Sequence, residues 1–302
     1  MDVLSAVLQD MRFEAAGYRS LELRAPWSIV FDQAGLRGIH IVLEGRCELV
    51  FHDDSVRALE TGDLVVAPRA DPHVLRSTGT PRLPPIPSLE LAQHGDGGRI
   101  RVGGTGERAV IVCGAFVFHE TEHPALDALP RVIHVPAAAG RTSLWIRPYV
   151  EALMSEAHDI GPGSEVVLAR LSSALVAKAL RFYARQAEHQ GWLKGLQDRH
   201  VARALAAMHN ALGRRWTLES LARTAGLSRA TFAARFADTV GDTPMRYLLR
   251  CRMHRAMRLL KERDATLAEI AALIGYGSEA ALSTAFRRYA GVSPSVYKRA
   301  RS

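Results

Sequence analysis

Residues 217–247 read TLESLARTAGLSRATFAARFADTVGDTPMRY, and residues 266–297 read TLAEIAALIGYGSEAALSTAFRRYAGVSPSVY. One pattern is written twice. Leu221-Ala222 with Ala225-Gly226-Leu227 returns 49 residues later as Ile270-Ala271 with Ile274-Gly275-Tyr276. After one inserted residue, Ser228, Phe232, Phe236, Gly241, Pro244 and Tyr247 return 50 residues later as Ser278, Leu282, Phe286, Gly291, Pro294 and Tyr297. A fixed period of this length marks a duplicated supersecondary unit, and the residues inside each copy spell helix, tight turn, helix.

In the first copy, Thr217 can N-cap a helix whose Leu218, Leu221, Ala222 and Ala225 form one apolar stripe. Gly226 ends that helix, because glycine takes the left-handed C′ conformation without Cβ strain, and Ser228 caps the next. The second copy is clearer. Thr266-x-x-Glu269 is a capping box, Leu267, Ile270, Ala271 and Ile274 form the stripe, Gly275 stops it and Ser278 restarts. If Phe232 and Phe236 face inward, then Arg229, Ala230, Ala233 and Ala234 face outward; if Leu282 and Phe286 are inside, the outward set is Glu279, Ala280, Ser283, Thr284 and Arg287. Each copy closes on a polar cap followed by proline, Thr243-Pro244 and Ser293-Pro294, where the missing N–H costs nothing. Pro244 starts a connecting helix to about Lys261, roughly 27 Å long at 1.5 Å per residue. That compares with the ~34 Å between equivalent major-groove positions, so two reading helices could sit on one side of a duplex.

Charge points the same way. Residues 196–302 hold 19 Lys+Arg against 8 Asp+Glu, whereas residues 1–195 hold 20 against 23. The basic excess belongs to the repeat region, so a polyanion is its direct partner through phosphate neutralisation; an anionic membrane surface would also fit the charge, but the helix-turn-helix spacing points to double-stranded DNA. Along the connecting helix, Arg246, Arg250, Arg252, Arg255 and Arg258 are placed to approach phosphates; Arg287 and Arg288 extend that role on the last reading helix.

These residues resemble the AraC/XylS family of transcription regulators, with a DNA-binding domain of two helix-turn-helix units on a linker helix. The resemblance rests on Trp216-Thr217-Leu218-Glu219-Ser220-Leu221-Ala222, Gly226-Leu227-Ser228-Arg229, Gly241-x-x-Pro244-x-x-Tyr247, Ile274-Gly275-Tyr276-x-Ser278-Glu279, Phe286-Arg287-Arg288 and Gly291-Val292-Ser293-Pro294-x-x-Tyr297, in order across about residues 198–300. It implies promoter DNA and RNA polymerase as partners and activation as the sign of control. Ala234 and Thr284 stand where similar regulators often carry arginine. The first unit is therefore expected to offer methyl contact through Ala230 and Ala233, and the second to supply more hydrogen bonding through Glu279, Ser283 and Thr284.

The first half reads as short strands: Trp27 to Phe31, Ile39 to Leu43, Cys47 to Phe51, Leu64 to Ala67, Val74 to Arg76 and Ala109 to Phe118. Turn signals such as His52-Asp53-Asp54-Ser55 between them predict a small barrel or jelly roll. Gly62-x5-Pro68-x-Ala70-x2-His73 resembles the second cupin motif, with Gly38-x-His40 and Leu43-Glu44-Gly45 in part the first. With Asp127-x-Leu129-Pro130, the pattern resembles the cupin-type sensor domain of one branch of AraC-like regulators. His40 and His73 are accordingly the candidate effector-pocket residues. Catalytic cupins hold a metal with about three histidines and a carboxylate; here there are His40, His73 and Glu44 with no HxH pair, so no metal or other cofactor is assigned and the chain is read as a non-enzyme. A metal-dependent cupin enzyme fused to a DNA-binding module is the alternative. Thr78 to Glu107, rich in Pro and Gly, is expected to be a mobile surface insertion.

Cys47, Cys113 and Cys251 lack CxxC spacing, which argues against a disulfide framework or thiolate zinc site. Cys113, inside the apolar run Val110 to Gly114, is the redox candidate. No apolar run approaches the ~18 residues of a membrane span, and the chain starts without a signal-peptide pattern, so a cytoplasmic protein without membrane contact is expected. Ser143 to His158 and Ser164 to Glu188 read as amphipathic helices able to pack on the barrel or on a second copy in a homodimer. The fold class is thus α+β: a cupin-like β-barrel or jelly roll over 1–135, a helical linker over 136–195, and an all-α domain of two helix-turn-helix units over 196–302.

Overall fold

The computed structural model describes residues 4–5, 7–8, 13–79, 83–91, 95–96, 99–118, 126, 129–137, 145–158, 161–185, 192–262 and 265–299. The chain divides into two compact units. One comprises Arg12–His119 and Leu129–Tyr183; the other comprises Ala184–Ser302 with Met1–Met11 and Glu120–Ala128.

The first unit is a two-sheet β structure. Its strands are β1 (Phe13–Arg24), β2 (Ser28–Phe31), β3 (Arg37–Glu44), β4 (Arg46–Phe51), β5 (Val56–Glu60), β6 (Leu64–Ala67), β7 (His73–Arg76), β8 (Ile86–Pro87), β9 (Gly95–Asp96), β10 (Arg99–Gly103), β11 (Arg108–Phe118) and β12 (Ile133–Val135). A seven-stranded sheet runs β12-β6-β3-β11-β1-β10-β9, and a five-stranded sheet runs β5-β4-β7-β2-β8. Inward residues alternate along β1, β2, β4, β7 and β11, so Leu21, Leu23, Ile29, Cys47, Leu49, Leu75 and Ile111 fill the space between the sheets.

Two expectations are corrected here. The long strand β1 lies ahead of the first strand expected, Trp27 to Phe31; it bulges between Ala15 and Gly17 and pairs with both β10 and β11. Its Leu21-Glu22-Leu23-Arg24 alternation is strand-like, but the Ala15-Ala16-Gly17 stretch before it obscures the period. The Pro/Gly-rich stretch is not a mobile surface insertion over its described residues: β8 lies parallel to β2, β10 parallel to β1, and Leu91 and Ile100 are buried. Pro87 itself lies in β8, the edge strand of the smaller sheet, where a missing N–H is tolerated. Two helices complete this region, α1 (Arg147–His158) and α2 (Ser164–Ala184), close to the two that were expected.

The second unit contains α3 (Trp192–Gly195), α4 (Arg199–Asn210), α5 (Leu218–Ala225), α6 (Arg229–Val240), α7 (Pro244–Glu262), α8 (Leu267–Ile274), α9 (Glu279–Ala290) and α10 (Pro294–Arg299). The duplicated grammar sets its ends. Thr217 and Thr266 are N-caps in reciprocal capping boxes, with Ser220 as the partner in the first copy and Glu269 in the second. Gly226 and Gly275 close α5 and α8 at φ of 70° and 84°, and Ser228 and Ser278 accept from the N–H groups of Thr231 and Ala281 to start α6 and α9. The second copy's core joins Met253, Ala256 and Leu259 of α7 to Ile270, Ile274, Leu282 and Phe286.

Candidate nucleic-acid interface and sensor site

The helix period decides which side chains of α6 and α9 face out. On α6, Phe232 and Phe236 are fully buried, Arg229, Ala230 and Ala234 are exposed, and Ala233 is half-buried. On α9, Leu282 and Phe286 are fully buried, Glu279, Ala280, Thr284, Arg287 and Arg288 are exposed, and Ser283 is half-buried. All ten sequence-assigned residues thus lie on the two helices as the period requires. Arg229 Nη1 lies 3.0 Å from Glu219 Oε1, so its charge is shared with α5. Thr284 donates its hydroxyl to the Ala280 carbonyl at 3.0 Å, which leaves its oxygen lone pairs as an outward acceptor.

A groove of about 1000 Å³ runs between α7 and α9, bounded by Arg246, Leu249, Arg250, Thr284 and Arg288. Asp242 stands at its α7 end. Its Oδ1 accepts from the Thr243 N–H at 2.8 Å and lies 3.4 Å from Arg246 Nε, while Oδ2 is 3.7 Å from Arg250 Nη1. The arginine run expected to face phosphates divides accordingly. Arg246 and Arg250 line the groove; Arg252 is turned inward, donating from Nε to the Leu212 carbonyl and from Nη2 to the Arg214 carbonyl; and Arg258 is buried. Helical spacing could not separate these, since the side that each arginine takes depends on what packs against α7.

In the barrel unit, β3, β7 and β11 bring His40, His73 and Cys113 together, all buried. His40 Nε2 is 2.8 Å from His73 Nε2, His40 Nδ1 is 3.2 Å from Cys113 Sγ, and His73 Nδ1 is 2.9 Å from the Asp71 carbonyl. Burial lowers the pKa of both imidazoles, His40 further with the help of His73, so both are neutral. The proton positions follow. A carbonyl can only accept, so His73 donates from Nδ1 and accepts at Nε2; His40 then donates from Nε2 and accepts at Nδ1 from the Cys113 thiol. Burial, with a smaller contribution from Cys47, holds that thiol's pKa well above the ordinary value. Phe31 stacks on His73 at 5.2 Å and meets His40 edge-on at 4.6 Å. Gly38 leaves room for the pair, since a Cβ there would stand 2.8 Å from His40 Nε2.

This geometry bears on the metal alternative. His73 and Cys113 approach opposite nitrogens of His40, so the three donors do not converge on one point. Among the described residues no three His, Cys, Asp or Glu side chains group to hold a metal ion. His73, but not His40, also borders a groove of about 510 Å³ on the outer side of the smaller sheet, floored by Val30, Val50 and Val74 and walled by Leu83 and Pro84. Asp127 lies outside the described residues.

Residues 2–185 match the cupin family, and residues 221–300 match the helix-turn-helix domain family. An AraC-like transcription regulator of Streptomyces lividans is 35% identical to this chain over 99% of its length and 98% of the relative's. The chain belongs to the AraC family of transcription regulators. The AlkR transcriptional regulator of Acinetobacter baylyi is 29% identical over 99% of both chains, and the RclR activator of Escherichia coli, specific for RCS by its name, is 24% identical over 99% of this chain and 97% of its own. Among solved structures, the DNA-binding domain of AdpA in complex with a target DNA is 36% identical over 34% of this chain and 92% of that one, with a TM-score of 0.33.

This AraC-family regulator therefore carries a cupin half and a DNA-binding helix-turn-helix half, as its motifs implied. Sequence reading missed two of its features, Asp242 and the inward Arg252. Asp242-x-x-x-Arg246 at i, i+4 is a signal that could have found the first; no local signal marks the second, because its partners lie 38 and 40 residues away.

Proposed function

We propose that this regulator reads promoter DNA with α6 and α9 entering successive major grooves, using Arg229, Ala230, Ala233, Ala234, Glu279, Ala280, Ser283, Thr284, Arg287 and Arg288. The observation that carries the reading is the matched exposure of the two helices: Phe232 and Phe236 inside on α6, Leu282 and Phe286 inside on α9, and small, polar and basic side chains outside on both. Arg287 and Arg288 bind phosphate, and Arg246 and Arg250 meet the DNA backbone that separates the two grooves. Selection from a random duplex library with the full chain, followed by footprinting, tests this. The expected footprint spans two adjoining helical turns on one face; protection confined to one turn refutes it.

The barrel half responds to a small molecule and shifts the second half between states of unequal DNA affinity, since an effector acts only through differential binding. Activation, with contact to RNA polymerase in the cytoplasm, is the sign and setting that the family supports. No described helix is long and apolar enough to cross a membrane. Exposed Val166 and Val167 on α2 support pairing of two copies in a homodimer. A redox signal at Cys113 is the second reading, favoured by the imidazole lone pair already aimed at its thiol proton; an unchanged transcriptional response of Cys113→Ser to oxidants would remove it. Relatives that are transcription regulators over nearly their whole length support a regulator rather than a metal-dependent enzyme, which elemental analysis of the purified protein checks.

A further inference from the structure

The two helix-turn-helix copies differ at one place that their sequences align. Gly226 and Gly275 both close the first helix of their unit with positive φ, yet their surroundings are unlike. Around Gly226, the nearest atoms to an added Cβ would be His200 Nδ1 at 3.9 Å and Arg203 Nη1 at 4.0 Å. Around Gly275, a Cβ would stand 2.7 Å from both the Gly213 carbonyl oxygen and Arg252 Nη2. The contact is reciprocal, because a Cβ on Gly213 would stand 2.7 Å from the Leu273 carbonyl oxygen. The turn between α4 and α5 in the first copy therefore rests backbone to backbone on the turn between α8 and α9 in the second.

Arg252 clamps this seam from α7. Its two donations hold the Leu212 and Arg214 carbonyls at 3.1 Å and 2.7 Å, and its guanidinium lies 5.9 Å from the centre of the Tyr276 ring, in the turn of the second copy. The first copy's side of the seam is itself braced. Trp216 Nε1 donates to the Ala211 carbonyl at 2.9 Å, and Arg214 lies over the Trp216 ring at 4.2 Å. A second attachment exists near the start of α7, where Tyr247 bonds His209 at 2.8 Å and packs against Phe236. One attachment alone would leave the first copy free to rock about α7; two attachments along the same helix remove that freedom.

We infer that the seam of Gly213, Gly275 and Arg252 is a positioning device that locks the two reading helices at one separation and rotation, so that the regulator discriminates between operators by half-site spacing as well as by base sequence. These three residues act through the placement of α6 and α9. The inference rests on both copies reading DNA, and the two can fail separately.

The test uses the full chain and the duplex recovered by selection, with variants of that duplex carrying one or two base pairs added or removed between the half-sites, and a third duplex with one half-site only. Joining two readers rigidly is worth about 10²-fold or more when geometry matches and nothing when it does not. Wild type is expected to lose about 100-fold on a two-base-pair change. Gly213→Val and Arg252→Ala should bind the single half-site as wild type does, bind the selected duplex more weakly, and vary less than about fivefold across the spacing series. Gly275→Asn should join them, while Gly226→Asn, which can adopt the same φ in open surroundings, should keep the wild-type spacing profile. Variants that keep the steep profile overturn the inference, as does wild type that is indifferent to spacing, a result that requires no variant to fold. A selected duplex with only one half-site would instead refute the two-helix reading itself.

Discussion

Arg287 and Arg288 are both exposed on α9, following the buried Phe286, and together form the basic last turn of that helix. If each neutralises one phosphate, the double variant Arg287→Ala/Arg288→Ala lowers the slope of log affinity against log salt by about 1.8, at about 0.9 for each contact on duplex DNA. Over a fourfold rise in salt from 50 to 200 mM, that change in slope amounts to about a twelvefold difference. The variant's deficit at the low end should thus be about twelve times its deficit at the high end. The assay is fluorescence anisotropy of a labelled duplex titrated at several salt concentrations, run on the selected operator and on a scrambled sequence of equal length. Both duplexes should weaken together, since phosphates carry no base information. Arg229→Ala provides an internal contrast: its guanidinium is already shared with Glu219, so its slope change should be smaller. An unaltered slope in the double variant would refute the phosphate assignment, as would loss of operator preference with unchanged affinity for scrambled DNA.

Phe286→Ala removes a fully buried ring that meets Tyr297 edge-on at 5.4 Å, and should destabilise the second helix-turn-helix copy by about 3 to 5 kcal/mol in chemical denaturation. Thr266→Ala, which opens the capping box of α8, should cost about 1 kcal/mol by the same measurement. His254 bonds Tyr289 at 2.9 Å, and burial first, then Arg250 and Lys261, lower its pKa from 6.5 to about 4. Between those values the unfolded chain takes up a proton that the folded chain refuses, so stability falls with pH from 6.5 and levels below 4, by up to about 3 kcal/mol. His254→Gln should flatten that part of the pH–stability profile relative to wild type.

The repeat region was the most legible part of the chain, and the physical reason is locality. Capping by Thr217 and Thr266, termination at Gly226 and Gly275, and the burial of Phe232, Phe236, Leu282 and Phe286 all depend on residues within two or three turns of one another. The barrel was less legible. Its short central strands showed as apolar runs, but β1 opens on an interrupted stretch and β8 and β10 sit among prolines and glycines, where composition alone points to loop. What makes β10 a strand is Ser20 to Arg24 lying alongside it, about 80 positions earlier in the chain. The histidine pair was found from motif spacing, but its bonding was not: Cys113 was singled out for its own run of residues, with no hint that it donates to His40 from a strand 73 positions away.

The amino-acid sequence by itself determined that two helix-turn-helix units exist, where each helix starts and stops, which side of each reading helix is polar, and that the basic charge lies with them, because these follow from periodicity, capping and composition along short stretches. Tertiary structure alone decided which arginines of α7 face outward and which hold carbonyls, that one glycine turn is pressed against another while its counterpart is open, and that His40 lies sealed between His73 and Cys113. Those outcomes depend on distances between residues far apart in the chain, and such distances exist only once the elements have packed.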